Sequence, residues 1–258
     1  MGQYSKMTII TYEKNERGRS CADTLKTLRG VENYERIFVL PIPSLKDGGI
    51  ISGSEKKIDE LTEELEPGDL VAGYKIDERY KARIKDKGVD VVDCSQDEEF
   101  VLENARLTAL ATLGILLTGE KRTLSDMCVG VIGYGRIGKY LTEMLLYVGA
   151  EVCVFTSKKS TCIELCEAGV KAKMTSPDTN LSSFDILINT APAKIFEIGK
   201  KEKAFPKIID LATGECFAEG VAQKYPSLPA KMYPISAGRL YALSIERCIG
   251  AKNDRQSE

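Results

Sequence analysis

Residues 129–138 read Val-Gly-Val-Ile-Gly-Tyr-Gly-Arg-Ile-Gly, an apolar run that leads into a Gly-x-Gly-x-x-Gly turn. A helical pattern follows, because apolar side chains recur at helical spacing from Lys139 to Val148 and Gly149 stands where a C-cap glycine belongs. Residues 151–155 then have the composition of a short strand. This order of strand, turn, helix and strand predicts an α/β protein with a doubly wound, parallel Rossmann sheet.

The glycine-rich turn is a candidate dinucleotide site. Gly133 allows the tight turn, Gly135 lets the backbone approach a pyrophosphate, and Gly138 lets the helix pack closely on the strand. The phosphates would lie at the helix N-terminus, where N–H groups and the helix dipole favour an anion. A chain with 22 glycines can also show this spacing by chance, but its position between strand and helix favours the functional interpretation. The cofactor-binding residues predicted from the turn are Gly133, Tyr134, Gly135, Arg136, Ile137 and Gly138.

The end of the second strand indicates which dinucleotide is bound. An NAD site usually carries Asp or Glu there for the ribose 2′-hydroxyl, but this chain reads Phe-Thr-Ser-Lys-Lys-Ser at residues 155–160. Thr156 and Ser157 can donate hydrogen bonds to a 2′-phosphate, and Lys158 or Lys159 can supply positive charge. We therefore predict NADP, with NAD as the alternative. The lysines could instead belong to a solvated loop, with another side chain contacting the ribose.

Two later apolar runs, at residues 184–190 and 206–211, have the continuous hydrophobicity of strands buried on both faces. Ligands of such sheets bind beyond the carboxyl ends of the strands. Residues in these two places are predicted to lie near a nicotinamide ring, although ordinary loop chemistry would explain them equally simply. They are Thr190, Ala191, Pro192, Leu211 and Ala212.

Composition excludes several classes of function. The 258 residues carry a formal net charge of −2, which gives no reason to expect a nucleic-acid partner. The chain has no histidine, which excludes Ser-His-Asp and Cys-His hydrolases, histidine-ligated metals and histidine proton shuttles. The eight cysteines form no Cys-x-x-Cys pair, so we expect buried thiols and no metal. Without a long apolar run or a signal peptide, we expect a cytoplasmic protein with no membrane partner.

Apolar runs alternate with charged helical stretches upstream of the glycine turn, which predicts a second, smaller parallel sheet. An N-terminal α/β unit of flavodoxin-like type is predicted for residues 1–100, completed by a C-terminal helix at residues 237–250. Residues 101–122 are predicted to form a connecting helix and linker. Residues 123–236 form the predicted Rossmann NAD(P)-binding domain, and residues 251–258 a frayed tail.

Four segments occur in a characteristic order. They are residues 40–49, residues 103–109 (Glu-Asn-Ala-Arg-Leu-Thr-Ala), the glycine turn, and Asn-Thr-Ala-Pro at 189–192 through Asp-Leu-Ala at 210–212. In this order the chain resembles the A-subunit of bacterial dipicolinate synthase and, more distantly, the D-2-hydroxyacid dehydrogenases. The resemblance implies NAD(P)-dependent oxidation of a cyclic dihydro- or tetrahydrodipicolinate-type dicarboxylate to dipicolinate, alongside a flavoprotein-like second subunit.

The chain also departs from that family. Leu107, Leu110 and Ala111 stand where the family has Pro, Glu and Gly, and the N-terminal glycine-containing unit is altered around residues 12–29. The family's late Pro-Gly-rich turn is replaced at residues 233–239. These departures imply that the chain could be a divergent or repurposed member of that family.

A substrate with two carboxylates calls for guanidinium groups and hydrogen-bond donors. Arg106 and Arg239 are the candidate clamps, Ser44 and Ser236 are candidate donors, and Asn104 is a candidate for orienting a loop. Each has a structural alternative: Arg106 could pair with Glu103, Ser236 could cap its helix and Ser44 could stabilise its turn. Asp210 is interpreted as a structural carboxylate.

Two other functions remain open at this stage. The chain could be a non-catalytic NADP(H)-binding subunit that regulates or supports a flavoprotein partner, which the apolar residues at 107 and 110 favour. It could also be a D-2-hydroxyacid-dehydrogenase-like enzyme acting on another small acid. A homodimer is expected from fold analogy alone.

Overall fold

The structure, a computed structural model, describes residues 7–176, 179–193, 206–214 and 216–256. The strands follow in chain order: β1 (Thr8–Thr11), β2 (Arg36–Val39), β3 (Leu45–Lys46), β4 (Ile50–Ile51), β5 (Leu70–Gly73), β6 (Asp90–Asp93), β7 (Cys128–Ile132), β8 (Glu151–Thr156), β9 (Lys171–Met174), β10 (Ile186–Asn189), β11 (Lys207–Asp210) and β12 (Gln223–Lys224). The α-helices are α1 (Glu16–Leu25), α2 (Ile58–Glu64), α3 (Glu78–Lys85), α4 (Glu98–Gly119), α5 (Arg136–Tyr147), α6 (Lys159–Glu167), α7 (Leu228–Met232) and α8 (Pro234–Gln256).

The chain divides into two compact units. The first contains residues 1–104 and 229–258, and the second contains residues 105–228. The boundary falls inside α4, so the predicted connector at residues 101–122 is shared between the units. The reason is packing: Phe100 lies in the apolar core of the first unit, whereas Leu113 and Leu116 lie in that of the second.

The second unit is built on a six-stranded parallel sheet in the order β12-β11-β10-β7-β8-β9. Numbered from β7, this is the 3-2-1-4-5-6 order of the Rossmann fold, with the reversal between β7 and β10. Both faces are apolar, because Val131, Val154 and Ile188 pack on one side and Phe155 and Leu187 on the other. The predicted α/β class with a doubly wound Rossmann sheet is confirmed.

The first unit contains a four-stranded parallel sheet in the order β1-β2-β5-β6. Its strands follow the order of the chain, so this sheet lacks the reversal that characterises flavodoxin. A short antiparallel ribbon of β3 and β4 lies outside the sheet. Helices α1 and α8 pack against each other, and Tyr241 of α8 is completely buried in the core.

The last helix differs from the sequence expectation. It begins at Pro234 and continues to Gln256, whereas the prediction was a helix at residues 237–250 and a frayed tail from 251. Gly250, the last residue of the predicted helix, lies inside the observed one. An ion pair between Lys252 and Asp90 of β6 fixes this last segment. Ser236 accordingly lies in the first helical turn and is not the N-cap.

One helix among the described residues, α4, is long and apolar enough to cross a membrane by length and composition. Such a helix is weak evidence for a span, because the core helices of globular domains pass the same test. Ala109, Leu113 and Leu116 pack into the core of the second unit.

Asp93, the last residue of β6, organises two neighbouring loops of the first unit. Its carboxylate accepts hydrogen bonds from the backbone N–H groups of Lys75 (2.8 Å), Ile76 (3.1 Å) and Ser95 (3.0 Å), and it pairs with the Lys81 ammonium at 2.7 Å. These bonds hold Lys75 at a φ of 55°, in the left-handed region. Burial alone would raise the pKa of Asp93, but the bonds from Lys81, Ser95 and Lys75 lower it below the ordinary value.

We expect Asp93→Ala to lower the free energy of unfolding by about 2 kcal/mol at neutral pH, because several donors lose a shared acceptor. The native carboxylate has a lowered pKa, so its contribution is present above the unfolded value and is lost as the pH falls through the native one. The difference between wild type and variant should therefore shrink below about pH 4. Urea unfolding at several pH values measures it.

Asp23→Ala is the matched control, because Asp23 forms only an exposed pair with Lys26. It should change the unfolding free energy by less than about 0.5 kcal/mol. Equal losses in both variants would contradict the role given to Asp93.

Candidate functional site

The candidate site lies at the carboxyl edge of the second sheet, where β7 ends. Gly133 follows β7 with a φ of 92°, and its N–H donates to the carbonyl of Phe155 at 2.8 Å. Thr190, which follows β10, donates its backbone N–H to Ile132 O at 2.8 Å and its hydroxyl to the same oxygen at 3.0 Å. These bonds fix the turn against both neighbouring strands.

Two glycines of the turn are required by close packing. A Cβ atom on Gly138 would lie 2.2 Å from the carbonyl oxygen of Gly133. A Cβ on Gly133 would lie 2.8 Å from the Thr190 hydroxyl, at a backbone conformation that side chains rarely adopt. The first turn of α5 therefore lies directly against the end of β7.

Gly135 has a different role, because the protein itself leaves its surroundings open. Apart from its two chain neighbours, no atom of the described residues lies within 4 Å of the position of a Cβ on Gly135, and its φ of −81° suits any residue. Gly135 is the N-cap of α5, and no side chain of the described residues caps this helix. The packing of the protein thus gives no reason for glycine here, whereas close approach of a phosphate to the helix N-terminus does.

A cavity of about 360 Å³ opens at this turn. The structure brings most of the predicted cofactor residues together around it: Gly133, Tyr134, Gly135, Thr156, Ser157, Lys158, Thr190, Ala191 and Pro192. Arg136, Ile137 and Gly138 form the first turn of α5 and do not line it. Leu211 and Ala212 follow β11 and lie outside this cavity.

Sequence reasoning missed five further residues that line the cavity: Lys139, Phe155, Thr161, Glu164 and Thr175. Helical spacing could have found Lys139, which lies one helical turn after Gly135. Thr175 follows the edge strand β9, and it reaches the cavity because β9 lies next to β8 in the sheet.

Thr156 lines the cavity and also fixes the turn after β8. It is 5% exposed, and its hydroxyl accepts a hydrogen bond from the Lys158 N–H at 3.2 Å. The hydroxyl hydrogen is not used in this bond, so donation from Thr156 to a ligand stays a prediction. The side chains of Ser157 and Lys158 are exposed.

The charges around the cavity are mixed. The Lys139 ammonium lies 5.8 Å from the centre of the Tyr134 ring, Lys158 lines the same space and Glu164 adds one carboxylate. Burial raises the pKa of Tyr134, and Glu143 and Glu164 raise it further. The Tyr134 phenol is therefore neutral at physiological pH and can donate a hydrogen bond but not act as a base.

Asn189 and Asp210 fix the loops that follow β10 and β11. The Asn189 amide donates to Asp210 Oδ1 at 2.8 Å and to Ala191 O at 3.1 Å, and its oxygen accepts from Ala191 N at 3.2 Å. Asp210 Oδ1 also accepts from Ala212 N at 3.1 Å. Asp210 is 1% exposed, in agreement with a structural role. Asn189 belongs to one of the four segments named in the sequence, but no role was predicted for it.

The candidate substrate residues are distributed over both units. Ser44 is 0% exposed, donates to Pro41 O at 3.0 Å and accepts from Tyr74 N at 2.7 Å, so its hydroxyl stabilises a turn and the ligand role predicted for it is wrong. Arg239 is exposed on α8 and lines a groove against α1 in the first unit. Asn104 is half-buried in the first unit, and Arg106 is exposed in the second.

Within the described residues, no group of three or more His, Cys, Asp or Glu side chains could hold a metal ion. All eight cysteines are free thiols.

Comparison with known proteins agrees with the architecture of the second unit. Residues 117–195 match the NAD-binding domain of the D-isomer specific 2-hydroxyacid dehydrogenases. This segment contains the glycine turn and the strands β7 to β10. No curated protein matches the sequence.

Solved structures share the fold of the whole chain. The A-subunit of dipicolinate synthase from Bacillus halodurans is 18% identical over 96% of this chain and 99% of its own, with a TM-score of 0.75. The corresponding dipicolinate synthase polypeptide from Bacillus subtilis is 18% identical over 98% and 99%, with a TM-score of 0.72. D-lactate dehydrogenase with NAD⁺ from Lactobacillus jensenii is 14% identical over 96% and 97%, at 0.52. The predicted resemblance to dipicolinate synthase is confirmed at the level of the fold.

We expect Gly138→Ala to destabilise the second unit by about 3 kcal/mol, because its Cβ would collide with a backbone oxygen that cannot move freely. Urea unfolding followed by circular dichroism measures the change.

Gly250→Ala in α8 is the control, because among the described residues nothing outside its own stretch of helix lies within 4 Å of its Cβ. Replacing a helical glycine by alanine should stabilise the protein by about 0.5–1 kcal/mol. An unfolding midpoint of Gly138→Ala equal to wild type would show that this contact does not hold α5 in place.

Proposed function

We propose that this chain is an NAD(P)-dependent oxidoreductase that binds NADP(H) at the Gly133–Gly138 turn and oxidises a cyclic dihydro- or tetrahydrodipicolinate-type dicarboxylate to dipicolinate. The observation that carries the proposal is the open position at Gly135. It lies between two glycines that packing requires, at the uncapped start of α5. The match of residues 117–195 to an NAD-binding domain supports the same interpretation.

The residues present fit a nicotinamide dinucleotide. A Cβ at Gly135 would occupy the space that a pyrophosphate needs, and the backbone N–H groups of the first turn of α5 would hold the phosphates. Ser157 and Lys158 would hold the adenine-side ribose, and Thr190, Ala191 and Pro192 would lie nearer the nicotinamide. When bound, this cofactor supplies a hydride acceptor.

NADP is proposed over NAD because of the side chains at the end of β8. Ser157 and Lys158 are exposed there, and the Lys158 side chain has no ion pair within the part of the chain that the structure describes. A hydroxyl and an ammonium suit a 2′-phosphate. NAD remains the alternative, since Glu164 lines the same cavity and could accept from a ribose hydroxyl.

The proposed substrate rests on the likeness in fold to the A-subunit of dipicolinate synthase and on the four sequence segments shared with that family. Arg106 and Arg239, both exposed, are each proposed as a partner of a substrate carboxylate, and Asn104 is proposed to orient a loop that neighbours it in the first unit. Because aromatisation of the ring drives the reaction, the protein mainly has to align the two rings and exclude water. The proton lost from the ring needs no histidine, and this chain has none.

A homodimer and a flavoprotein-like second subunit are part of the proposal. The homodimer follows from analogy of fold, and the flavoprotein-like partner follows from the family resemblance.

We expect Gly135→Val to weaken NADPH binding at least about 100-fold, because its branched side chain would fill the space next to the helix N-terminus. The fold should survive, since no described residue beyond the two chain neighbours comes near this position and the loss of the glycine N-cap costs only about 1 kcal/mol. Isothermal calorimetry measures binding, and thermal unfolding checks the fold. Gly250→Val, an open glycine in the first unit, should bind NADPH like wild type. Unchanged affinity in Gly135→Val would refute the site.

We expect Lys158→Ala to weaken NADPH binding about tenfold and NADH binding less than about twofold, because only NADPH carries a 2′-phosphate. Lys159→Ala is the matched control, because Lys159 begins α6 and does not line the cavity. Fluorescence titration with both reduced cofactors measures the affinities. Equal affinity of the wild type for both cofactors would overturn the choice of NADP.

Catalysis is tested with the purified chain, NADP⁺ and a dihydrodipicolinate-type substrate, with and without a flavoprotein-like partner. We expect NADPH and the aromatic dicarboxylate to form together, in equal amounts, and Gly135→Val to abolish both. NADPH binding without turnover in either arm would identify the chain as a non-catalytic subunit. Turnover of a different small acid would identify another dehydrogenase.

A further inference from the structure

Two cysteines of the first unit lie in adjoining segments around one apolar core. Cys94 follows β6 directly and is 0% exposed, in the same apolar core as Phe100 and Tyr241. Cys248 lies in the second half of α8, is half-buried and packs against that core. The turn that contains Cys94 packs against α8, and Arg247, next to Cys248, pairs with Asp97 at 2.7 Å. Segments far apart in the chain thus bring the two cysteines to the same place.

Only one of the two thiols can be reached from outside. Cys248 lines an open cavity of about 480 Å³, together with Asp97, Arg247 and Lys252. The cavity admits a molecule the size of a hydroperoxide and a small dithiol. Cys94 does not line it and is completely buried.

The environments of the two thiols differ electrostatically. Burial raises the pKa of Cys94 well above the ordinary value, and the interaction with Cys248 raises it further. The interaction with Cys94 lowers the pKa of Cys248, and Ser244 and Arg247 act in the same direction, whereas burial and Asp97 oppose them. Of the two thiols, Cys248 is therefore the one that ionises more readily. A solvent-accessible thiolate beside a second thiol is the arrangement of an oxidisable pair.

A second cysteine pair provides an internal comparison. Cys162 and Cys166 lie one turn apart on α6 and also contact each other, but burial and Cys166 raise the pKa of Cys162. Among the described cysteines with a resolved shift, Cys248 is the one whose pKa is lowered.

We propose that Cys248 and Cys94 form a redox modification site, in which Cys248 reacts with a hydroperoxide and Cys94 then closes a disulfide. In the first step the Cys248 thiolate attacks one peroxide oxygen, the O–O bond breaks, and sulfenic acid and hydroxide form. In the second step the Cys94 sulfur displaces the sulfenic hydroxyl, giving the disulfide and water. Two thiols and one hydrogen peroxide thus yield one disulfide and two waters. A small dithiol reverses the modification by exchange.

The disulfide would join α8 to the segment between β6 and α4. The ion pair of Arg247 with Asp97, at 2.7 Å, already ties these segments together. Oxidation would make this attachment covalent and raise the unfolding temperature of the first unit. The proposal does not depend on the nucleotide site.

The test treats the reduced full-length chain with a small excess of hydrogen peroxide at neutral pH, blocks free thiols and maps peptides without reduction. We expect the Cys94–Cys248 linked peptide to exceed any other disulfide at least about fivefold. Dithiothreitol should return both thiols. A Cys94→Ser variant should stop at sulfenic acid on Cys248, which dimedone traps, and Cys248→Ser should leave Cys94 unmodified.

Cys166→Ser is the matched control and should form the Cys94–Cys248 link as the wild type does. Circular dichroism checks that each variant folds, and Cys94→Ala replaces Cys94→Ser if the hydroxyl is not tolerated in the core. The proposal fails if Cys248 stays reduced while Cys162 or Cys166 is oxidised. It also fails if Cys248 oxidises to the same extent in wild type and Cys94→Ser without a linked peptide in the wild type.

Discussion

The candidate site depends on one steric contact, the approach of Gly138 to the carbonyl oxygen of Gly133. A side chain at residue 138 would lie 2.2 Å from that oxygen, so only glycine lets α5 begin directly above the end of β7. The helix start is thereby placed at the carboxyl edge between β7 and β10, where the strand order reverses. Packing fixes Gly133 and Gly138, and Gly135 between them faces space that the described residues leave open. The chemistry of the site follows from this packing.

A similar close contact between a helical glycine and a backbone carbonyl oxygen occurs at the start of α1 in the first unit, but there a side chain caps the helix. Gly18 in α1 approaches the carbonyl oxygen of Glu13 so closely that a Cβ would lie 1.9 Å away. Here, however, Asn15 caps the helix by accepting from Gly18 N at 3.1 Å. The Glu13 carboxylate pairs with the buried guanidinium of Arg17 at 2.7 Å. The protein's own side chains thus satisfy the start of α1, and a βα turn alone does not make an anion site.

Local sequence patterns correctly predicted the elements whose structure depends on residues close in the chain. The glycine spacing and the helical pattern of α5 specified β7, α5 and β8 nearly to the residue, because turn strain and close packing act within a few positions. The burial of Thr156 and the closure of the Ser44 turn depend on strand register and on Tyr74, which the sequence does not reveal. The true end of α8 depends on a pair between Lys252 and Asp90 that spans most of the chain.

The end of β8 shows how a buried residue can shape a candidate site through the backbone. The Thr156 hydroxyl holds the N–H of Lys158, the residue at the N-terminus of α6, so the backbone of this turn is fixed. The exposed Lys158 side chain therefore starts from a fixed point at the positive end of α6. Glu164 lies beyond the first turn of the same helix and lines the same cavity. The cavity thus combines a cation and a helix N-terminus, which suit a 2′-phosphate, with a carboxylate, which suits a ribose hydroxyl, and these are the groups in which NADP and NAD differ.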